Sequence, residues 1–226
     1  MNVNVKFFLV SLSLFLLAAC SSTNRAYLDS LQLAFEDRSA QLTVAQIKQS
    51  RGDLLQVKSG ERPAAVMALA YIENDRYRWK SGDDVVFTMH HGVLVTTQGL
   101  ANDLQHTSNL GSNPLAQQGK LAFQWQRKID IAGTGYGIPV SSRWEFAGET
   151  RLEILDTTFN TLLVTEQVTV AAATPFLDPD RTWQNQYWLD SATKTLLSSR
   201  QKFSPQGDWY EMTYLSRAVR HMEEAQ

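Results

Sequence analysis

Two adjacent histidines, His90 and His91, are of a type that invites a chemical reading. Neighbours on a strand point to opposite faces, so the pair cannot grip one metal ion, and His106 and His221 lie far away in sequence. No metal site and no cofactor are expected. Gly133-Thr134-Gly135-Tyr136-Gly137 carries glycines of the kind that cradle an anion. No helix signal and no Gly-Lys-Ser/Thr follows, and Ile138-Pro139 resumes an extended chain, so the segment reads as an inter-strand loop. A serine nucleophile would lack its elbow, because no G-x-S-x-G occurs. Asp83-Asp84 and the pair Asp178 and Asp180 sit beside turn residues and read as solvated loops rather than as hydrolytic carboxylates. No catalytic residue is assigned, and the chain reads as a binding or support protein, not an enzyme.

Binding candidates are better defined. In Trp183-Gln184-Asn185-Gln186-Tyr187-Trp188-Leu189-Asp190, Trp183, Tyr187 and Leu189 share the parity of a core face, which leaves Trp188 beside Gln184 and Gln186. An indole among amides can stack on a sugar ring while the amides bond its hydroxyls; the same composition suits the rim of a protein interface. Trp79, with Tyr77 on the same parity, is a second candidate platform. Two charges break the alternation: Arg127 falls on the face of Phe123, Trp125 and Ile129, and Glu166 falls with Leu162, Val164, Val168 and Val170. An unpaired charge out of water costs several kcal/mol, so these two pair inside the sheet, or bulges turn them outward, or the interior is wet.

Cys20, the only cysteine, excludes an intramolecular disulfide and takes its meaning from what precedes it. Lys6 is followed by the apolar run Phe7 to Ala19, broken only by Ser11 and Ser13. Thirteen residues fall short of the roughly 20 that span a bilayer as a helix, so residues 1–19 read as a secretory signal peptide. Leu17-Ala18-Ala19-Cys20 resembles the bacterial lipobox, which makes Cys20 the acylated mature N-terminus. Several acyl chains on Cys20 would hold the domain at a membrane surface without embedding it. Ser21 and Ser22 follow in place of an aspartate, the pattern associated with the outer membrane of Gram-negative bacteria. Cleavage leaves 20 basic and 23 acidic residues, net charge -3, so neither a polybasic membrane patch nor a nucleic-acid footprint is present.

Those candidates must be carried by regular elements. Tyr27, Leu28, Leu31, Ala34 and Phe35 fall at helical spacing between Asn24 and Arg38. Thr43 with Gln46 makes a capping box, stapled by Leu42 and Ile47, for a second short helix ending near Ser50 to Gly52. Lys58 to Pro63 reads as a linker, giving residues 20–62 as lipid anchor and helical lead and residues 63–226 as an antiparallel β domain. The clearest strand is Phe123 to Ile131. Val85 to His90 and Val93 to Thr97 form a hairpin around His91-Gly92. Further strands are predicted at Val140 to Ala147, Thr150 to Leu155, Thr161 to Val170, Thr182 to Asp190, Thr195 to Phe203 and Trp209 to Ser216; the alanines of Ala64 to Ile72 after Pro63 suit a helix, but its Val66, Met67, Leu69, Tyr71 and Ile72 favour a strand buried on both faces. Nine or ten strands with short connections imply a mainly β fold, an antiparallel up-and-down barrel or a strongly curved meander sheet, with short N-terminal helices.

Taken with the lipobox at Cys20, Glu73 before Trp79, His91-Gly92, Gly99-Leu100, Asn113-Pro114-Leu115 and the block Trp183 to Asp190, the chain resembles the YjbF/GfcB family of group 4 capsule polysaccharide lipoproteins. The resemblance implies a barrel-like β fold and a non-catalytic role in assembly or export of capsule or extracellular polysaccharide, beside an outer-membrane β-barrel protein and periplasmic partners. The implied location is the outer membrane, facing the periplasm. An alternative from the barrel architecture alone is a carrier or sensor that encloses a lipid or other amphiphile, which requires a continuous apolar cavity.

Overall fold

A computed structural model describes residues 42–116, 124–171 and 181–224. Twelve strands run through them: β1 Leu54–Ser59, β2 Ala65–Glu73, β3 Arg76–Ser81, β4 Val86–His90, β5 Val93–Gln98, β6 Leu104–Thr107, β7 Gln124–Ile131, β8 Gly135–Ile154, β9 Thr157–Val170, β10 Thr182–Asp190, β11 Leu196–Gln201 and β12 Tyr210–Thr213. Each pairs antiparallel with its neighbour in sequence from β6 to β12 and from β1 to β5, and β12 pairs with β1 through Val57 and Met212. The result is an antiparallel barrel that closes everywhere except between β5 and β6. The helix expected from Asn24 to Arg38, and Cys20 itself, lie outside the described residues.

Local chemistry explains the tightest turns. Three hairpins have two-residue loops with both residues at positive φ: Asn74-Asp75, His91-Gly92 and Leu155-Asp156. That is the backbone twist which matches two right-twisted strands. Leu155 adopts it without being Asn or Gly, and its side chain packs into a hydrophobic cluster. Register shifts between β2 and β3, β4 and β5, β6 and β7, β7 and β8, β8 and β9, and β10 and β11 bend the sheet further toward closure.

At the β5/β6 seam, side chains replace the missing ladder. Thr97 Oγ1 accepts from the Leu104 amide at 2.9 Å and donates to Asp103 Oδ1 at 2.8 Å. Thr107 Oγ1 donates to the Val95 carbonyl at 2.9 Å. Asp103 also caps the intervening turn by accepting from the amides of Gly99 and Leu100, each at 3.0 Å. Unpaired backbone groups at a sheet edge are costly when buried, and these hydroxyls satisfy them.

The interior is filled with large side chains. Trp79, Phe87, Trp125, Trp144, Tyr187 and Tyr214 are essentially inaccessible to solvent. Trp144 stacks on Tyr187 with centroids 5.0 Å apart, and Trp79 meets Tyr214 edge-on at 5.8 Å. A second cluster lies on the other face of the wall. There α1 (Val44–Gln49) and α2 (Leu215–Glu224) pack Ile47, Leu215, Ala218 and Val219 against Leu197, Ile154 and Phe159. The bulge between β10 and β11 sends Leu196 to the inner cluster and its neighbour Leu197 to the outer one. Thr43 and Gln46 form the expected capping box on α1, which Lys48 ties to Glu223 of α2 at 2.8 Å.

Several boundaries differ from the sequence reading. The β domain begins at Leu54, not Pro63: Lys58 and Ser59 end β1, and the rest of the segment expected to be a linker is the β1–β2 turn. Leu55 and Val57 are buried in the core, so the sheet starts where the alternation starts. The strands expected at Val140 to Ala147 and Thr150 to Leu155 are one strand, β8, kinked by the bulge between Phe146 and Gly148. The last strand stops at Thr213 and the chain continues as α2, whose buried side chains find a partner only on the folded barrel.

The β4–β5 turn fits tightly under the barrel wall. Gly92 has φ +89°, and a Cβ there would lie 2.2 Å from Leu196 Cδ2 and 3.5 Å from the Tyr214 hydroxyl. Gly92→Ala should lower stability by about 2 to 4 kcal/mol, combining the left-handed backbone penalty with overpacking. Thermal denaturation of the variant checks this; an unchanged midpoint would show that the turn can move away from Leu196.

Candidate functional site

Arg127 and Glu166 both point inward. Arg127 Nη1 lies 2.9 Å from Glu166 Oε1, with the two side chains 7% and 0% exposed. The guanidinium also donates to Ser142 Oγ at 3.1 Å and lies over the Trp125 ring at 4.0 Å. Glu166 Oε2 accepts from Asn185 Nδ2 at 2.9 Å and from the Tyr187 hydroxyl at 3.2 Å. Glu166 Oε1 receives no aligned hydrogen bond, only the charge of Arg127. Burial, reinforced by the Glu166 carboxylate, holds the Tyr187 phenol well above its ordinary pKa, so it remains a neutral donor. A gap of about 20 Å³ lined by Arg127, Asn185 and Gln201 adjoins this network, a volume of the order of one water. Five strands meet here, and the arrangement is a buried polar network beside a gap too small for a substrate-sized molecule.

Gln201 extends the network across the barrel to the β4–β5 turn. Its Nε2 donates to the Gly92 carbonyl at 2.8 Å, and its Oε1 accepts from the Leu94 amide at 3.0 Å. From the other side, fully buried Asn113 donates to the His90 carbonyl at 2.7 Å and contacts His90 Nδ1 at 3.2 Å. Its Oδ1 accepts from the Leu115 amide at 3.1 Å. Two of the motifs that carried the family resemblance, His91-Gly92 and Asn113-Pro114-Leu115, therefore meet through His90 and lock one end of the barrel.

The block in β10 divides as its parity requires. Trp183 and Tyr187 are core; Gln184 is exposed, and Gln186 and Trp188 are half-buried on the outer face. Trp188 is flanked across the strands by Leu163 and Ser198. The register places Gln184 at the end of a row the sequence did not reveal: Gln184 faces Gln167, Gln167 faces Arg143, and Arg143 faces Gln124. A shallow hollow of about 420 Å³ runs along the row, with Gln126, Ser141 and Thr169 beside it. Only strand pairing could have joined these residues, which span sixty positions in sequence.

Trp79 and Tyr77 do not form an exposed platform. Trp79 is 1% exposed in the core, and Tyr77 is half-buried on the same inner face. The signal was present: Arg76, Arg78 and Lys80 alternate with them and take the outer face. The exposed aromatic of this hairpin is Tyr71, on β2, at 49%. Among the described residues, no group of three or more His, Cys, Asp or Glu is placed to hold a metal ion. Asp83 and Asp84 form part of the β3–β4 turn, Asp84 pairing with Lys80 at 2.7 Å; Asp178 and Asp180 lie outside the described residues.

Fold and site together define a class: a small antiparallel barrel with a filled interior, whose offered surfaces are on the outside of the wall. Comparison with known proteins gives the family. Residues 28–215 match the family described as group 4 capsule polysaccharide lipoprotein gfcB, YjbF, and the chain belongs to it. It is 29% identical over 216 residues to the uncharacterized lipoprotein GfcB of Escherichia coli (strain K12), covering 93% of this chain and 98% of that one. The uncharacterized lipoprotein YjbF of the same strain is 25% identical over 182 residues, covering 78% and 82%. The crystal structure of the hypothetical lipoprotein YmcC from Escherichia coli (K12) superimposes with a TM-score of 0.66 at 28% identity, over 83% of this chain and 94% of that one.

Two outcomes follow from the buried groups. Arg127→Ala should cost about 3 to 5 kcal/mol, because Glu166 is left charged and unpaired, whereas Arg127→Met with Glu166→Gln should cost less, since glutamine still accepts from Asn185 and Tyr187. Urea denaturation of the three proteins decides it, and a double variant no more stable than Arg127→Ala would refute the pairing account. Burial, with His91 beside it, holds the His90 pKa below its ordinary value, and Asn113 donates to the unprotonated Nδ1. As pH falls below about 6.5, the unfolded chain takes up a proton that the folded one resists, so stability drops toward the folded pKa. His90→Gln should flatten that decline in denaturation curves taken between pH 7 and pH 5.5.

Proposed function

We propose that this protein is a non-catalytic lipoprotein, held at the periplasmic face of the outer membrane by an acylated Cys20, that supports assembly or export of a capsular or extracellular polysaccharide. Membership of the capsule polysaccharide lipoprotein family over residues 28–215 is the observation that carries this reading. The lipobox pattern at Cys20 supports the anchor, and no helix among the described residues is long and apolar enough to cross a membrane. A filled interior weighs against a lipid carrier, which needs a dry tunnel where this barrel has indoles and a buried ion pair. The outer face of β7–β10, with half-buried Trp188 beside Gln186, Leu163 and Ser198 and with the row of Gln184, Gln167 and Arg143 further along the strands, suits contact with a protein of the same export system; half-buried aromatics beside a polar surface are what non-obligate interfaces use.

Two variants test it in cells lacking the native gene. Cys20→Ala should leave an unprocessed, mislocalised precursor and restore little surface polysaccharide, and mass spectrometry of the mature wild-type N-terminus should show the acyl chains. Trp188→Ala should reduce surface polysaccharide while protein abundance and melting temperature stay close to wild type. A large fall in stability would make Trp188 a packing residue, and full activity would remove it from the contact.

A further inference from the structure

The outer wall is also hollowed where β5 and β6 fail to pair. Two adjoining hollows of about 180 and 340 Å³ follow the seam and share Arg78, Thr88 and Thr96. Arg78 forms their common floor. Its Nη1 donates to the Tyr71 hydroxyl at 2.9 Å, its Nη2 reaches Gln98 Oε1 at 3.5 Å, and the guanidinium lies 5.6 Å from the Tyr71 ring centre. Register makes this a continuous surface: Tyr71 faces Arg78, Arg78 faces Thr88, and Thr88 faces Thr96.

The charges of the seam favour an anion. Arg76 and Arg78 both line the first hollow, with His106 on the opposite wall, and neither arginine is ion-paired with a described carboxylate. Two acids line the hollows. Glu73 stands opposite Arg76 across the β2–β3 pair, and Asp103 is already held by three donors that close the seam and its turn. A guanidinium offers a planar fork matched to a carboxylate, Tyr71 offers a half-exposed ring face, and the threonine hydroxyls with Gln98 offer donors and acceptors suited to sugar hydroxyls. That combination suits a pyranose bearing a carboxylate better than an acidic peptide, which has little use for the aromatic face and the row of hydroxyls.

We infer that the seam groove, with Arg76 and Arg78 as the anion contacts and Tyr71 as the stacking surface, binds a segment of acidic polysaccharide. The inference rests on the reading that the protein serves polysaccharide assembly or export, and adds the ligand class and the place where it is held.

Calorimetric titration of the full-length acylated protein in detergent with hexagalacturonate tests it, with maltohexaose and hexaglutamate as neutral and peptidic controls. The wild type should bind hexagalacturonate, more weakly as salt rises, and bind the controls at least about tenfold less tightly. Arg76→Gln with Arg78→Gln should lose about tenfold or more in affinity, and Tyr71→Ala severalfold, with melting temperatures near wild type. Arg78→Lys, which keeps the charge but not the fork, should fall between. Arg151→Gln removes an exposed charge from β8 and should change nothing. Absence of hexagalacturonate binding, equal binding of either control, or full affinity in the double arginine variant would overturn the inference. If the groove variants lose binding yet restore surface polysaccharide in full, the groove assignment stands and the export reading falls.

Discussion

An antiparallel meander of twelve strands bent almost into a closed ring must fill its own inside, and that demand organises this protein. About eight strands give an interior that ordinary side chains fill; wider rings leave room that must be occupied or flooded. Here the occupants are four indoles, at Trp79, Trp125, Trp144 and Trp183, with Tyr187, Tyr210 and Tyr214 between them. The β4–β5 turn adds backbone to the filling, which is why Gly92 can have no side chain and why Gln201 satisfies its carbonyl from the far wall. Repeated bulges curl the sheet around that content.

Polar groups trapped by the same closure have to be satisfied in place. Glu166 and Arg127 sit where the alternation would put aliphatics, and each is surrounded by partners from neighbouring strands: Ser142, Asn185 and Tyr187. Such a pair adds little net stability compared with apolar packing, but removing either partner is costly, so it ties the registers of β7 to β10 together. The residues that carried the family resemblance serve this packing. Trp183 and Tyr187 are core, and His91-Gly92 with Asn113 fastens the barrel end. Their presence marks the fold, while the amide row of β7–β10 and the hollowed seam lie on the outside of the wall.

What the sequence by itself determined was the local physics. Alternation defined β7, the β4–β5 hairpin and the division of β10 into a core parity and an outer parity. The parity break also marked Arg127 and Glu166 as inward residues needing an explanation. A capping box placed α1 from four residues. Each of these rests on interactions between positions close in the chain, where residue type alone sets the geometry. The short strands β1 and β6 carry too little alternation to be read along the chain, and the linker composition of Lys58 to Pro63 overlaps the end of β1, although Leu55 and Val57 alternate within it. The alternation of Tyr77 and Trp79 with Arg76, Arg78 and Lys80 likewise carried the inward parity of β3, whereas only tertiary structure kept Tyr71 outside. Tertiary structure alone brought Gln124, Arg143, Gln167 and Gln184 into one row, and set Arg78 at the floor of a groove that exists because β5 and β6 do not pair. Those arrangements depend on register and closure, which are properties of distant segments meeting, and no window along the chain contains both sides of the contact.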